Sequence, residues 1–276
     1  MNILFLNASP KKKRSNSGVF VNIVKMLLFP LSPRKIKTIR LPVSNSYDEI
    51  LSCFKEIDCL VIASPVYVDT LPSHLLKFLS NAEIFCKENN LHFKVYAIFN
   101  CGFFEGRQCK NAFSVLKCWC KKAEVQYGSG VGIGGGEMLG MLHVIFFYLI
   151  VLVPLIKMII GIFYIPVEKL SLPTVVASFD WRYMVNNLLV YLVLSFGMLV
   201  SLFRLRLRIS KKQSIKEIYT FPIFPKTLFI IMANVIWIVK AILNGTSIYR
   251  IYKREYVAKK GQTQTSVKPD NEVEKS

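Results

Sequence analysis

Residues 1 to 136 alternate short apolar runs with amphipathic stretches. The runs are NILFL (2–6), KIKTIRL (35–41), CLVIAS (59–64), FKVYAIFN (93–100) and VQYGSGVGIG (125–134). Segments of helical periodicity follow the first four, at 17–28, 46–56, 72–88 and 109–123. Short runs rich in β-branched and aromatic residues read as strands, and strand–helix alternation predicts a parallel, doubly wound α/β sheet. CLVIAS and VYAIF have no polar face, as central strands covered on both sides do, whereas KIKTIRL alternates like an edge. Five strands and four helices predict a three-layer sandwich with its ligand site beyond the carboxyl ends of the strands.

After Gly136 the pattern changes. Residues 142–165, LHVIFFYLIVLVPLIKMIIGIFYI, contain only His143 and Lys157 as ionisable groups. At 1.5 Å per residue they make about 36 Å of helix, against a hydrocarbon core of about 30 Å. A second uncharged stretch, Tyr183 to Phe203, ends against RLRLRISKK and is also long enough to span. The loop between them, 166–187, carries Lys169 and Arg182 against Glu168 and Asp180, whereas 204–217 carries six basic residues against Glu217 alone. By the positive-inside rule the second span ends in the cytoplasm, which places the N-terminal domain there too and localises the protein to the cell membrane. Lys157 must then snorkel outward, or the first span must end near Ile156. A third stretch, 223–243, is interrupted by Lys226 and Lys240, whose uncharged interval is only about 20 Å as helix. It reads as interfacial, re-entrant or docked on the domain. The closing GQTQTSVKPDNEVEKS has no apolar pattern and reads as a disordered tail. The expected organisation is a domain at 1–138, a two-helix transmembrane hairpin at 139–204, a basic and interfacial helical segment at 205–258 and the tail at 259–276.

Composition agrees with lipid contact. Of 276 residues, 53% are hydrophobic and only 19% charged, which excludes a disordered chain. The excess of 36 Lys and Arg over 17 Asp and Glu suits an anionic membrane face or an anionic cofactor. A nucleic-acid partner is set aside, because the densest basic runs flank apolar segments without interleaved aromatic platforms. Seven cysteines form no CxxC pair, so no metal or cluster ligand set is legible, and with no signal-peptide pattern at the N-terminus they suit a reducing compartment.

Candidate chemistry lies at the strand ends. The first strand-to-helix turn, NASPKKKRSNSG (7–18), supplies Ser9, Ser15, Asn16 and Ser17 as donors, Lys11 as charge and a helix start with free N–H groups, which together make an anion cradle. Lys12, Lys13 and Arg14 read as a solvated turn. The third strand ends in SPVYVDTLPSHLLKFL (64–79), whose Pro65, Val66 and Tyr67 can lay apolar and aromatic faces against a flat ring. Asn100, Cys101, Gly102 and Phe103 end the fourth strand beside it. A phosphate on one turn and a ring between the next two describe a flavin mononucleotide (FMN) site.

These segments resemble the NADPH-dependent FMN reductase family. NASPKKKRSNSG is similar to its phosphate loop, usually GSPR followed by SNT, and SPVYVDTLP to its SPVYWGxLP. NCGFFEGRQCKNAFSVLKCWCKKAEVQYGSGVGIGGGEM resembles the NCGF-E stretch and glycine-rich end of its Gram-positive members, and FPIFPKTLFIIMANVIW (221–237) a C-terminal segment of theirs with Lys226 in place of Arg. The resemblance covers 1–138 and implies a flavodoxin-like five-stranded sheet of order 2-1-3-4-5, FMN as cofactor and NAD(P)H as cosubstrate. Ser9, Lys11, Ser15, Asn16, Ser17, Pro65, Val66, Tyr67, Asn100, Cys101 and Gly102 are then its cofactor-binding positions. Ala8, Ser17, Val68 and Asp69 depart from the family's Gly, Thr, Trp and Gly, the iron–sulfur motif CxxCxxC is absent, and the hydrophobic hairpin has no counterpart in the soluble members.

With flavin bound, hydride and electron transfer are the cofactor's chemistry, so no catalytic side chain and no metal is expected. His74, His92 and His143 are not read as catalytic and His74 reads as a surface residue, while Cys101, next to the ring position, reads either as a packed small residue or as a redox-active thiol. The leading expectation is a membrane-anchored NAD(P)H-dependent FMN oxidoreductase passing electrons to a small-molecule acceptor, with a quinone suggested by the bilayer; a homodimer is among the assemblies it admits. The alternative is a non-enzymatic FMN-binding electron carrier or a degenerate membrane-tethered interaction module.

Overall fold

A computed structural model describes residues 1–11, 15–28, 35–41, 47–164, 179–223 and 225–245. Lys12, Lys13, Arg14, most of the loop between the apolar stretches 142–165 and 183–203, the basic run from Arg250 to Lys260 and the tail lie outside the described residues. The chain divides into two units, one of Met1–Lys226 and one from Thr227 onward.

The first unit is built on a parallel sheet of six strands: β1 (Asn2–Asn7), β2 (Lys35–Arg40), β3 (Cys59–Pro65), β4 (Lys94–Asn100), β5 (Gln126–Ile133) and β6 (Ile218–Thr220). Their order is β2-β1-β3-β4-β5-β6. The first five stand in the flavodoxin-like order, 2-1-3-4-5. The sixth strand extends the expected five: Ile218–Thr220 pairs parallel with Val131–Ile133. Every residue of β3 is buried, while β2 has none buried and forms the edge.

Because successive strand side chains point to opposite faces, the strands feed two cores. On one face Leu4, Leu60, Ile62, Val95 and Phe99 pack with α2 (Tyr47–Phe54), α3 (Ser73–Glu88) and α4 (Lys110–Lys122). On the other, Ile3, Phe5, Val61, Ile98 and Val131 pack with α1 (Asn16–Leu28) through Phe20, Val21 and Val24. A single helix leaves that second face half covered.

The remainder is covered by an unexpected element. After β5 the chain forms α5 (Gly136–Phe147), a π-turn (Tyr148–Leu152) and α6 (Val153–Phe163), and returns in the 30-residue α7 (Trp181–Ser210). Met198, Leu202, Leu205 and Ile209 of α7 are buried in the core beside α1. The far end of α7 reaches the amino ends of the strands. There the Tyr96 hydroxyl donates to the Arg208 carbonyl at 3.2 Å, and Lys212 pairs with Asp58 at 2.7 Å. The expected boundary at 204/205 therefore falls inside one helix. Its lower half serves the domain core, and its upper half belongs to the hairpin.

The hairpin projects from the carboxyl end of the sheet. Pro154 has no N–H to donate one turn back, and the wide π-turn lies just before it. The His143 Nδ1 lies 2.8 Å from the Tyr191 hydroxyl. Near the far end Lys157 pairs with Asp180 at 3.2 Å and sits 4.3 Å from the Tyr183 ring centroid, while Asp180 also accepts from the Tyr183 N–H at 3.0 Å and so caps α7. The lysine that sequence could only send toward the headgroups has a carboxylate partner on the neighbouring helix. Above the domain both helices expose Phe147, Ile156, Ile160, Leu189, Val193 and Phe196.

From Thr227 on, α8 (Lys226–Leu243) belongs to the second unit; it is 18 residues long because the helix includes both lysines that bound its apolar interior. Met138–Phe163, Trp181–Ser210 and Lys226–Leu243 are each long and apolar enough to cross a membrane, by length and composition.

Candidate functional site

Four loops meet beyond the carboxyl ends of β1, β3, β4 and β5. The loop after β1 is fixed by Asn7, whose Oδ1 accepts from the Ser9 N–H at 3.1 Å and whose Nδ2 donates to the Ser15 hydroxyl at 3.3 Å. Ser15 caps α1, its Oγ accepting from the Gly18 N–H at 3.1 Å. Asn16 and Ser17 are the first residues of α1, where N–H groups precede the helix's own hydrogen-bond ladder. The Ser17 hydroxyl is committed to the Asn100 side-chain oxygen at 2.8 Å. Ser9, Ser15 and Ser17 are buried, and Lys11 is exposed at the loop's edge.

The loop after β3 is tied to β4 by the Val66 N–H, which donates to the Asn100 carbonyl at 2.8 Å. Val66 itself turns into the core, so it supports the loop, and Tyr67 is the ring left half exposed. Tyr67 and Thr70 exchange two backbone hydrogen bonds, at 3.0 and 3.1 Å, around Val68 (φ 47°) and Asp69 (φ 62°). Two left-handed residues in a two-residue loop make a type I′ turn, which glycine or asparagine fills without strain and a β-branched residue does not. The turn lifts the Val68 side chain clear of the protein, 93% exposed.

The loop after β4 carries Cys101, buried, with its N–H donating to the Ile133 carbonyl at 3.0 Å and its carbonyl accepting from the Gly136 N–H at 2.9 Å. Its thiol also contacts the Glu105 carbonyl at 3.5 Å. Hydrogen bonding with the Cys109 thiol holds Cys101 below the usual thiol range, while the same contact and burial push Cys109 far above it. Gly102 opens onto free space. Asn100 therefore joins three loops, and Pro65, which pairs with it in register, closes the strand beside it.

Sequence reasoning named most of these positions but missed Asn7 and misplaced His74. The His74 ring is half buried and donates through Nε2 to the Ala8 carbonyl at 2.9 Å, tying the start of α3 to the anion loop. An Asn as the last residue of a strand, just before a Ser-rich turn, was the available signal for Asn7. At the other side of α1, α5 crosses so closely that a Cβ at Gly140 would collide with the Asn16 side chain. No group of three metal-ligating side chains occurs among the described residues.

The donors gathered here are of the chemical kind that an anionic flavin such as FMN would need. Helix-start N–H groups, Ser9 and Lys11 suit a phosphate, and Tyr67 and the open backbone at Gly102 leave room for a ring beside them. No protein-family model matches the sequence, and no curated protein matches it. Among solved structures the chain is similar to the Trp repressor binding protein from Bacillus subtilis, at 14% identity over 47% of this chain and 84% of that one, with a TM-score of 0.37. It is similar to an FMN-dependent NADH-azoreductase from Bacillus anthracis in complex with FMN, at 15% identity over 46% and 84% of the two chains, TM-score 0.37. It is also similar to an NADPH-quinone reductase from P. pentosaceus, at 14% identity over 47% and 83%, TM-score 0.37. The likeness spans about half of this chain.

Proposed function

We propose that the chain is a membrane-anchored NAD(P)H-dependent FMN oxidoreductase whose domain lies in the cytoplasm and whose acceptor is a quinone in the bilayer. One observation carries the reading: the anion loop and the two ring loops lie at the same end of the sheet from which the apolar hairpin projects. A domain so mounted turns its cofactor edge toward the lipid.

When bound, FMN supplies hydride acceptance and electron release. The chain supplies position. Asn16 and Ser17 N–H groups, Ser9 and Lys11 hold the phosphate; Ser17 and Asn100 set the distance from that anchor to the ring loops; Tyr67 and the backbone of Cys101 and Gly102 flank the ring, with Pro65 and Val66 behind them. No side chain need exchange a proton with substrate.

A second reading is favoured by the commitments of Ser15 and Ser17 within the protein and by Val68 at the exposed turn tip: an FMN carrier without turnover, or a tethered interaction module. Detergent-purified full-length protein separates the two. Flavin absorbance together with NAD(P)H oxidation that accelerates on adding quinone supports the oxidoreductase. Flavin without turnover supports the carrier, and failure to take up excess FMN supports the interaction module.

A further inference from the structure

Four adjacent strands, β3 to β6, end in loops at the carboxyl end of the sheet, and the loop after β5 is the root of the hairpin. The other three carry apolar side chains outward. Val68 after β3 is 93% exposed, Phe103 after β4 and Phe221 after β6 are more than half exposed, and Ile223 is nearly half exposed. The Gly134 N–H donates to the Thr220 carbonyl at 3.2 Å and the Gly135 N–H to the Phe103 carbonyl, so the loops on both sides are tied to the hairpin root. On α7, Gly197 stands between exposed Phe196 and buried Met198, and a Cβ there would lie 3.6 Å from the Phe221 carbonyl. Phe221 is therefore level with the point where α7 leaves the domain core, and it extends the exposed apolar surface of Phe196 and Val193 onto the domain.

We propose that these loop tips form a lipid-contacting edge, with Val68, Phe103, Phe221 and Ile223 dipping into the bilayer surface around the hairpin root. The proposal rests on the membrane reading above. Exposed apolar patches mark contacts with protein or membrane, and continuity with helices of membrane-spanning length selects the membrane. Val68 adds an independent argument: its turn holds a left-handed backbone that disfavours a β-branched residue and places the side chain where the domain gives it no cover. A flavin between the loops after β3 and β4 leaves Phe221 and Ile223 uncovered, since β6 lies two strands beyond β4, about 10 Å at the usual strand spacing. The amino end of the sheet differs, holding a polar cavity lined by Asp58, His92, Lys94, Glu124 and Lys212. Asp69 and Glu105 are exposed beside the tips, which limits the edge to headgroup depth. The edge runs from β3 to β6 and leaves out β1, so the domain leans: its ring loops meet lipid and the Ser-rich loop after β1 stays toward water.

Spin labels test this in the full-length protein, placed in nanodiscs of phosphatidylcholine and phosphatidylglycerol. Val68→Cys, Phe103→Cys and Phe221→Cys each receive one label in a chain whose accessible native thiols are removed by Cys53→Ser and Cys118→Ser. Oxygen concentrates among acyl chains and a neutral nickel chelate in water, so relaxation by the two reagents reports depth. Each tip label should favour oxygen, at the depth of about 5–10 Å that interfacial apolar faces reach. Lys122→Cys, exposed at the amino end of the sheet, should favour the chelate several-fold. Preference for the chelate at any of the three tips places that tip in water, and poor access to both reagents places it under protein, such as a second copy of the chain; either result overturns the proposal. Ile160→Cys, on the exposed face of α6, separates the two readings. Preference for the chelate at Ile160 sinks the membrane reading and this proposal with it. Preference for oxygen at Ile160, with the tips in water, sinks only this proposal.

Discussion

The Ser17 hydroxyl donates to the Asn100 side-chain oxygen at 2.8 Å, with both groups buried and 83 residues apart in sequence. Through this bond the anion loop after β1 is placed against the loops after β3 and β4, because Asn100 also receives the Val66 N–H. Ser17→Ala leaves a buried amide oxygen without its donor, a loss of about 1–3 kcal/mol. Asn100→Asp adds a negative charge beside the phosphate position. The expected outcome is a lower melting temperature for Ser17→Ala with FMN affinity reduced about tenfold or more, and no FMN uptake for Asn100→Asp in a fluorescence-quenching titration. Unchanged FMN affinity in Ser17→Ala would show that this bond serves the fold without setting the site.

Val68 holds a backbone conformation that costs a β-branched residue roughly 1–2 kcal/mol, and its side chain buries nothing in return. Val68→Asn relieves the left-handed strain while keeping the turn, and should raise stability by about 1 kcal/mol in thermal melting. Val68→Trp keeps the strain and adds an aromatic face at the turn tip. If the turn flanks a flavin ring, Val68→Trp tightens FMN several-fold and Val68→Asn does not. Identical FMN affinities in all three proteins would remove this turn from the site.

The pair Lys212–Asp58 anchors the end of α7 at the opposite end of the sheet. The Lys212 ammonium, together with the Asn2 N–H, holds the Asp58 carboxyl below its ordinary range. Its contribution is therefore present above the ordinary carboxylate value and is lost as pH falls through the depressed one. The same bond raises Lys212, whose contribution is complete below the ordinary lysine value and fades only as pH rises through the raised one. Both side chains are more than a third exposed, so screening limits the pair to under about 1 kcal/mol. Lys212→Met should melt slightly below wild type at pH 7, and the two curves should converge in acid as Asp58 protonates. A gap that persists at pH 2 would assign the loss to the left-handed cap at Lys212, φ 48°, rather than to charge.

The strands were legible because each is an apolar run closed by polar or turn residues, and the start of α1 because a Ser-Asn-Ser turn precedes its first apolar positions. What could not be read was the division of α7. Tyr183 to Phe203 is uncharged throughout, and lipid and protein core are equally apolar, so hydropathy does not tell that Met198 and Leu202 face a sheet while Leu189 and Val193 do not. RLRLRIS carries the alternation that buries Leu205 and Ile209, but its arginines gave it the look of a membrane flank. Arg206 is in fact buried, its Nε donating to the Leu27 carbonyl at 3.1 Å. The strand β6 escaped because three residues inside a basic segment carry no periodicity, and their pairing partner on β5 lies some 87 residues earlier.

The last prediction concerns how the hairpin sits in the bilayer. Lys157 and Asp180 face each other near its far end, with Trp181 and Tyr183 beside them, the residue types that collect at a membrane–water boundary. Exchanging either charge for Met leaves the other without its partner, so Lys157→Met and Asp180→Met should each slightly lower the melting temperature in detergent, and the double variant should recover part of the loss. Additive losses would mean that the two charges act separately. If this pair marks the outer boundary, the point near Met198 where α7 enters the sheet's core, about 27 Å of helix away at 1.5 Å per residue, marks the inner one, and only the loop between the helices is outside. A cysteine placed at position 175 should then react with an impermeant reagent in intact cells. Cys118, the exposed native cysteine on α4, provides the opposite marker and should react only after lysis. A cysteine at 270 decides the path of α8, since labelling there means that it crosses and protection means that it stays at the inner face. Labelling of Cys118 in intact cells, or protection of 175, would place the domain on the other side of the membrane and remove any cytoplasmic NAD(P)H from its reach.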